Sequence, residues 1–376
     1  MLLAACSLVP AEEKHRWLRS LLEEPIHWLS LFDLAGRHGV QQLLYEALAG
    51  ISTSIPADEL RPLQQDHQLN LRKALLLSRE LLRIVEHLSA LGIEAVPYKG
   101  LALAEVIYGD IALRQSGDID LLIRPQDFHR VRDAVREIGF TPHSPLSAAQ
   151  ERAYLKSGYE CSFDGAAGPN LLEVQWAIQP KFYAIDFNLA GIFERAVTVN
   201  VAGQPMKTPS PEDLLLVLSA HAAKHIWGRL IWLCDLARIM RLPNLNWQWI
   251  AQQAQELGIL RILSVTMTLA NRMLKAEIPS AAIPAGLKLN DSETLGLAQD
   301  IQTHLAGTSA FPVESVAYFR LMLRLRERSS DRWRFMQRLI FTPGPGEWEA
   351  VHLPEAMFPL YRLVRLSRLA ARLLHA

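Results

Sequence analysis

The chain has 376 residues, half of them apolar, which exceeds one typical domain, excludes disorder and allows two or three packed units. Its 39 basic and 39 acidic side chains cancel, so no global field selects a polyanionic partner. The three cysteines, Cys6, Cys161 and Cys234, are too widely spaced for a disulfide framework or a zinc cluster, and point to reduced, buried thiols. Residues 2–6 have the look of a lipoprotein cleavage box but lack the basic segment and the apolar run of about 7–15 residues that a signal peptide needs. No charge-free apolar run reaches the ~18 residues of a membrane span, so the expectation is a cytoplasmic protein with no stable membrane insertion.

In chain order, the first ninety residues read as helices. Apolar residues at three- and four-residue spacing predict helices over 11–22, 28–38 and 40–48, and Pro56 opens a longer one from 57 to about 91, stopped by Gly92. From 93 to 208 the character changes. Strand-like runs at 93–98, 118–123, 159–163, 171–178, 196–201 and 205–208 alternate with two or three helices, the clearest at 125–138 with Pro in its first turn and Gly139 beyond its end. Residues 166–170 read as a hairpin loop. Strands with interspersed helices imply a mixed sheet covered on at least one face.

From Ser210 the chain is helical again. Ser210-Pro211-Glu212-Asp213 combines a capping serine, Pro at the first helical position and acids in the first turn. Helices are predicted over 214–225, 228–240, 247–257, 260–274, 292–306, 315–326 and 332–340. A Pro/Gly-rich break at 341–354 precedes a last helix over 354–375. The reading is α+β: a core at 93–208 between an N-terminal helical region, 1–92, and a C-terminal helical domain, 209–376.

The most informative stretch is Tyr98-Lys99-Gly100, followed by Gly117-Asp118-Ile119-Asp120-Leu121-Leu122-Ile123. A strand turns successive side chains to opposite faces, so Asp118 and Asp120 point one way while Ile119, Leu121 and Ile123 face a core. At about 3.3 Å rise per residue the two Cα atoms lie about 6–7 Å apart, within joint reach of one or two divalent cations. Oxygen-only ligands favour Mg²⁺ shared with substrate phosphates over zinc. Lys99-Gly100 stands where a strand meets a helix over 101–108. Free N–H groups there form an anion site, and glycine permits close approach. Lys99 could add a charge on phosphates or snorkel at the surface.

These residues resemble a known family. Lys99-Gly100, Tyr108, Arg114 and Gly-Asp-Ile-Asp-Leu-Leu-Ile look like the bacterial nucleotidyltransferases of the DNA polymerase β-type superfamily. That pattern has a glycine-led turn opening a helix, then Asp-x-Asp on the next strand, then a third carboxylate on a later strand, matched here by Glu173. The resemblance continues through His221-Ala222-Ala223-Lys224-His225, Asp235, Phe341-Thr342-Pro343-Gly344-Pro345 and Trp348. The superfamily's usual Gly-Gly or Gly-Ser is Lys99-Gly100 here, and Gln175 stands where the branch often has histidine.

The resemblance implies transfer of an NMP from an NTP to a hydroxyl of an unidentified acceptor (small molecule, RNA or protein), with two Mg²⁺ or Mn²⁺ ions. It implies Asp118, Asp120 and Glu173 as catalytic metal ligands. Lys99, Gly100, Arg114, Gly117, His221, Lys224 and His225 are the candidate nucleotide-binding residues. Glu173 could instead be a hydrogen-bonded sheet-edge acid, and Arg114 could clamp phosphates or pair with Asp110 or Asp118. His221 and His225 lie four apart on a helical face without the Glu of a zinc hydrolase motif, so they close a cleft or sit buried and hydrogen-bonded. From Arg320 to Ala376 there are 11 arginines, no lysine and 5 acidic residues. Arg362, Arg365 and Arg368 form a stripe there that could hold nucleic acid or pack on the fold. Alternatives from other classes are a catalytically idle nucleotide-binding module and a helical RNA- or protein-interaction protein.

Overall fold

The computed structural model describes residues 1–374 except 167, 281–285 and 308–314. Five strands form one mixed sheet: β1 (Ala95–Pro97), β2 (Ile119–Ile123), β3 (Thr141–Pro142), β4 (Glu160–Gly165) and β5 (Gly168–Gln175), in the order β1-β2-β5-β4-β3. β2 and β5 are parallel and the other neighbours antiparallel. The parallel pair sets Asp120 opposite Glu173 and Leu122 opposite Gln175. β6 (Val197–Val201) and β7 (Gln204–Thr208) make a separate hairpin. The fold is α+β, with helices before and after the sheet.

β2 is buried along its whole length because both of its faces are covered. Ile119, Leu121 and Ile123 pack with Val131 and Val135 of the helix Phe128–Glu137 and with Leu77, Leu81, Ile84 and Leu88. The other face carries Val96 and Leu122 into a larger core. There the N-terminal helices and the helices after Ser210 share one apolar interior, Leu43 and Leu44 with Leu215, Leu233 and Leu263. Period-two alternation puts Asp120 on this second face. The carboxylate therefore looks toward the C-terminal helices.

One helix joins the two cores. Ala57–Ala90 is 34 residues, about 51 Å long. Its Leu63 belongs to the helical core, whereas Ala74, Leu77, Leu81, Ile84 and Leu88 belong to the sheet core. Between them Asn70 is buried and donates from Nδ2 to the Ala112 carbonyl, 2.8 Å. This bond ties the helix to the loop that leads into β2.

The expected helix over 125–138 starts as a 3-10 turn, Pro125–Asp127, before the α-helix Phe128–Glu137. Three helices lack a sequence forecast: Leu2–Cys6, Ala148–Ser157 and Leu189–Glu194. Ala148–Ser157 buries no residue, so it has no apolar period, yet its Ser147/Gln150 capping box is complete. The Pro/Gly-rich break contains a short helix, Pro345–Ala350. The last helix runs Tyr361–Leu374 after a 3-10 turn Glu355–Leu360 in which Pro359 removes an N–H donor. The hairpin between β4 and β5 is tighter than expected, since Gly165 pairs with Gly168, and residue 167 lies outside the described residues. All three cysteines are free, but Cys161 is only half-buried. Among the described residues no helix is long and apolar enough to cross a membrane.

Asn70→Ala is expected to destabilise the protein by about 1–2 kcal/mol, read by denaturant unfolding. It should also raise amide exchange at residues 110–117 first; uniform exchange across the chain would contradict a local tether.

Candidate active site

The site lies where the sheet's second face meets the helices after Ser210. A cleft of 410 Å³ is lined by all ten residues nominated from sequence: Lys99, Gly100, Arg114, Gly117, Asp118, Asp120, Glu173, His221, Lys224 and His225. Gln115, Ser116, Tyr159, Glu160 and Arg229 add to its polar wall, and none of them was nominated.

Gly100 has a φ of +54°, the left-handed region that glycine alone adopts without strain. A Cβ there would also lie 3.4 Å from the Asp118 carbonyl oxygen. The helix Gly100–Tyr108 begins at this turn, and the first N–H groups of a helix have no partner within it. Backbone donors thus stand beside the carboxylates.

The carboxylates are crowded. Asp118 and Asp120 come from the start of β2, Glu173 from β5 and Glu160 from β4. Burial, then Glu160 and Asp120, push the Glu173 carboxyl up to about 8. Burial and the neighbouring Asp120 push Asp118 up to about 6, against the pull of Lys99 and Arg114. Two groups hold the cluster together. Lys99 Nζ donates to Asp120 Oδ1 at 3.0 Å, and burial, which would lower its pKa, is outweighed by Asp120 and Tyr98. The fully buried Gln175 amide nitrogen lies 3.3 Å from Asp120 Oδ1, 3.1 Å from Glu173 Oε2 and 3.1 Å from Glu160 Oε2. An amide nitrogen has two hydrogens for three carboxylates, so it shares them. Its Oε1 accepts the Tyr98 hydroxyl, which fixes the amide's orientation.

The opposite wall is cationic. Lys224 Nζ donates to the Tyr159 hydroxyl at 3.0 Å and sits 4.6 Å from that ring's centre. Burial brings its ammonium down to about 8, although Glu160 and Glu173 favour the charged form. Burial, then Lys224 and Lys99, bring His225 to about 3, and burial with the same lysines holds His221 far below the usual range. Both imidazoles are neutral at pH 7. Their rings stand 4.8 Å apart and both touch Trp232.

Beyond His225 the chain turns through Ile226 and Trp227 at φ +52° and +48°. Two consecutive left-handed residues, one β-branched, store strain. The turn is held by Trp227 N–H on the Ala222 carbonyl, 2.7 Å, and by the buried indole Nε1–H on Thr266 Oγ1, 3.1 Å. This fixes His225 and Arg229 at the rim.

Arg114 pairs with neither Asp110 nor Asp118. Its Nε and Nη2 meet the Asp235 carboxylate at 3.0–3.1 Å, and Tyr108 donates to the same group at 2.8 Å. Asp110 instead accepts the Ala112 N–H in its own loop. Asp235 lies on the helix Leu230–Ile239, which packs against the helix Gly100–Tyr108, so its partner is fixed by tertiary contact.

Among the described residues no group of three His, Cys, Asp or Glu side chains is arranged to hold a metal ion as it stands. Lys99 occupies the Asp120 oxygen. The chemistry of the donor set nonetheless fits a hard divalent cation: carboxylate oxygens on and beside two parallel strands, with the proton affinities of Asp118 and Glu173 raised by burial and then by their neighbours.

A family model described as uncharacterised nucleotidyltransferase matches residues 24–275, well over half of the chain. The chain belongs to that nucleotidyltransferase family. Its matched region contains every residue of the cleft. A solved structure of an antigenic nucleotidyltransferase-like protein from Paracoccidioides brasiliensis is 19% identical, with a TM-score of 0.35, over 55% of this chain and 95% of its own. No curated protein matches at a significant level.

In this nucleotidyltransferase the Arg114–Asp235 pair is a test of the cleft's framework. Arg114→Met or Asp235→Leu leaves a buried charge unpaired, and each should cost about 3–5 kcal/mol. Arg114→Met with Asp235→Leu should recover most of that, as read by urea unfolding. Additive losses would mean the two side chains act independently.

Glu173 predicts a pH dependence. Its folded pKa of about 8 exceeds the ordinary 4.5, so between these values the folded chain holds a proton that the unfolded chain has lost. That contribution is complete below pH 4.5 and lost as pH rises through 8. The Tm of wild type relative to Glu173→Gln should therefore fall between pH 5 and 8 in chelator-treated samples. A constant difference would mean Glu173 titrates normally.

Proposed function

We propose that this protein transfers an NMP from an NTP to a hydroxyl on an acceptor in a reaction dependent on Mg²⁺, with Mn²⁺ able to replace it. The observation that carries the reading is one cleft in which Asp118, Asp120 and Glu173 face a glycine-led helix start and the ammonium groups of Lys99 and Lys224. Asp118 and Asp120 would hold both cations, and Glu173 the one on the acceptor side. When bound there, the cations lower the pKa of the attacking hydroxyl and neutralise the leaving oxygens.

The chain's own groups do the rest. The amides at Gly100 receive phosphate oxygens, with Gly117 leaving open space beside them, since a Cβ there would meet nothing within 4 Å. With cations on the carboxylates, Lys99 would be released from Asp120 to meet the triphosphate. Lys224 adds a charge-assisted contact from the helical wall, and neutral His221 and His225 offer ring nitrogens without adding charge. Arg114, fixed by Asp235, orders the loop before Asp118 and contributes positive potential to the cleft. Residues 93–208 are the catalytic unit in this reading, and residues 209–376 close it.

A small-molecule acceptor fits better than RNA. Arg324, Arg328, Arg334 and Arg338 each pair with a carboxylate of the fold itself, which removes these four from the C-terminal basic excess that an RNA backbone would meet.

The direct test is incubation with labelled NTPs, Mg²⁺ and a small-molecule cell extract, followed by mass spectrometry. Products heavier by one nucleotidyl group, with pyrophosphate released, are expected. Asp118→Asn and Asp120→Asn should each lower transfer about a thousandfold or more, ~4 kcal/mol of barrier; Asp118→Asn keeps or raises stability because repulsion is relieved, whereas Asp120→Asn also takes the charged partner from buried Lys99 and lowers it. Glu173→Gln should keep NTP binding and lose transfer. Unchanged turnover in both aspartate variants would sink the mechanism.

A further inference from the structure

A second cavity, of 260 Å³, adjoins the cleft and shares Tyr159 with it as a wall. It lies between the helix Ala148–Ser157, Phe182, the stretch 342–347 and the last helix. This is where the Pro/Gly-rich motif at 341–345, which the nucleotide chemistry leaves without a role, comes to rest.

The walls are built around missing side chains. A Cβ at Gly158 would lie 2.3 Å from the Tyr154 ring, and one at Gly346 would lie 3.0 Å from Arg368 Nη1. Glycine at these two positions lets an aromatic ring and a guanidinium lie against backbone. Tyr154 is fixed edge-on by Trp176 at 5.7 Å and Trp348 at 5.9 Å, which anchors the C-terminal segment to the sheet.

The cavity has a positive end. Glu347, 5% exposed, accepts Arg365 Nη1 and Arg368 Nη1, each at 3.2 Å, and the Gly344 N–H at 2.8 Å. Two guanidinium groups thus face one carboxylate, leaving one positive charge in excess. Arg365 also lies 5.6 Å from the centre of the Phe182 ring. At the other end stand Tyr159 and, beyond it, Lys224 and the carboxylates. A larger cavity of 580 Å³ meets the cleft at Glu160, but it is lined by Glu160 and Glu349 and by no arginine or lysine, so it repels anions.

We infer that the 260 Å³ cavity is the acceptor site, and that it takes a small molecule with a carboxylate or phosphate at the Arg365/Arg368 end, an apolar or aromatic body, and a hydroxyl that reaches past Tyr159. The inference rests on the proposed nucleotidyl transfer. The acceptor oxygen forms a bond to the α-phosphorus of the NTP as the bond from that phosphorus to the bridging oxygen breaks. Pyrophosphate leaves with the electron pair, and the hydroxyl proton passes to solvent. The volume is below that of a drug-sized pocket, which suits an acceptor of about one ring.

The test uses the full chain and three probes, 4-hydroxybenzoate, 4-hydroxyphenyl phosphate and the uncharged 4-hydroxybenzyl alcohol, titrated by ligand-observed NMR with and without saturating Mg²⁺ and a non-hydrolysable NTP. At least one anion should bind saturably alongside the nucleotide, tenfold or more tighter than the alcohol; which anion prevails separates carboxylate from phosphate recognition. Arg368→Gln removes the charge and Ser157→Phe fills the cavity from the opposite wall without touching Glu347. Each should weaken anion binding at least tenfold with NTP affinity and Tm unchanged. Failure of both anions to bind, equal binding in both variants, or displacement of the probe by nucleotide would overturn the assignment. Absence of NTP binding to wild type, with anion binding still lost in the variants, would instead remove the transferase reading and leave the cavity as a ligand site.

Discussion

Crowding of like charges governs this protein. Asp118, Asp120, Glu160 and Glu173 are drawn into one cleft, where burial and then Glu160 and Asp120 raise the cost of ionising Glu173, and burial and then Asp120 that of Asp118. The surrounding structure is arranged to tolerate that cost. Lys99 supplies a charge at hydrogen-bonding distance, Gln175 supplies a neutral donor that serves three carboxylates, and Lys224 supplies charge from the far wall. A neutral amide suits the position because it tolerates any protonation state of its neighbours, whereas a fixed cation there would bind one of them outright.

The architecture that holds these groups is a sheet caught between two apolar interiors. The sheet core sets the strands and so the spacing of the carboxylates. The helical core sets Lys224, His221, His225 and Arg229 on the facing wall. The 34-residue helix belongs to both, so the walls are referred to one continuous helix rather than to a flexible linker. Strain at Ile226–Trp227 is retained on the helical side because the buried Trp227 leaves the chain no other path.

Much of this was legible in the residues. Alternation along 118–123 placed the aspartates on one face and the apolar residues in the core. Ser210-Pro211 marked a helix start that the structure keeps, with Ser210 Oγ accepting the Asp213 N–H at 3.1 Å. Every nominated site residue lines one cleft, although their roles remain those of the proposal. What stayed hidden depends on distance in sequence or on the absence of a periodic signal. Gln175 shares a face with Glu173, but nothing local says that its amide meets two other carboxylates. Amphipathic spacing shows that a helix has an apolar face without naming what covers it, so the joining of the first fifty residues to the helices after Ser210 was not readable. The absence of any fully buried residue in Ala148–Ser157 left only its capping box as a signal, and the left-handed turn at 226–227 has no glycine to announce it.

The Arg114–Asp235 pair also bears on how the protein is made. Its partners are 121 positions apart, and the loop between Gly109 and β2 takes its form from that pair and from Asn70. A ribosome that has just completed the sheet holds a chain with its carboxylates in place but no counterpart for the buried guanidinium. Until Asp235 emerges and its helix docks, the loop before Asp118 has only one of its two tethers. The complete cleft is therefore acquired late in synthesis, as a single event of docking rather than by gradual completion of the sheet.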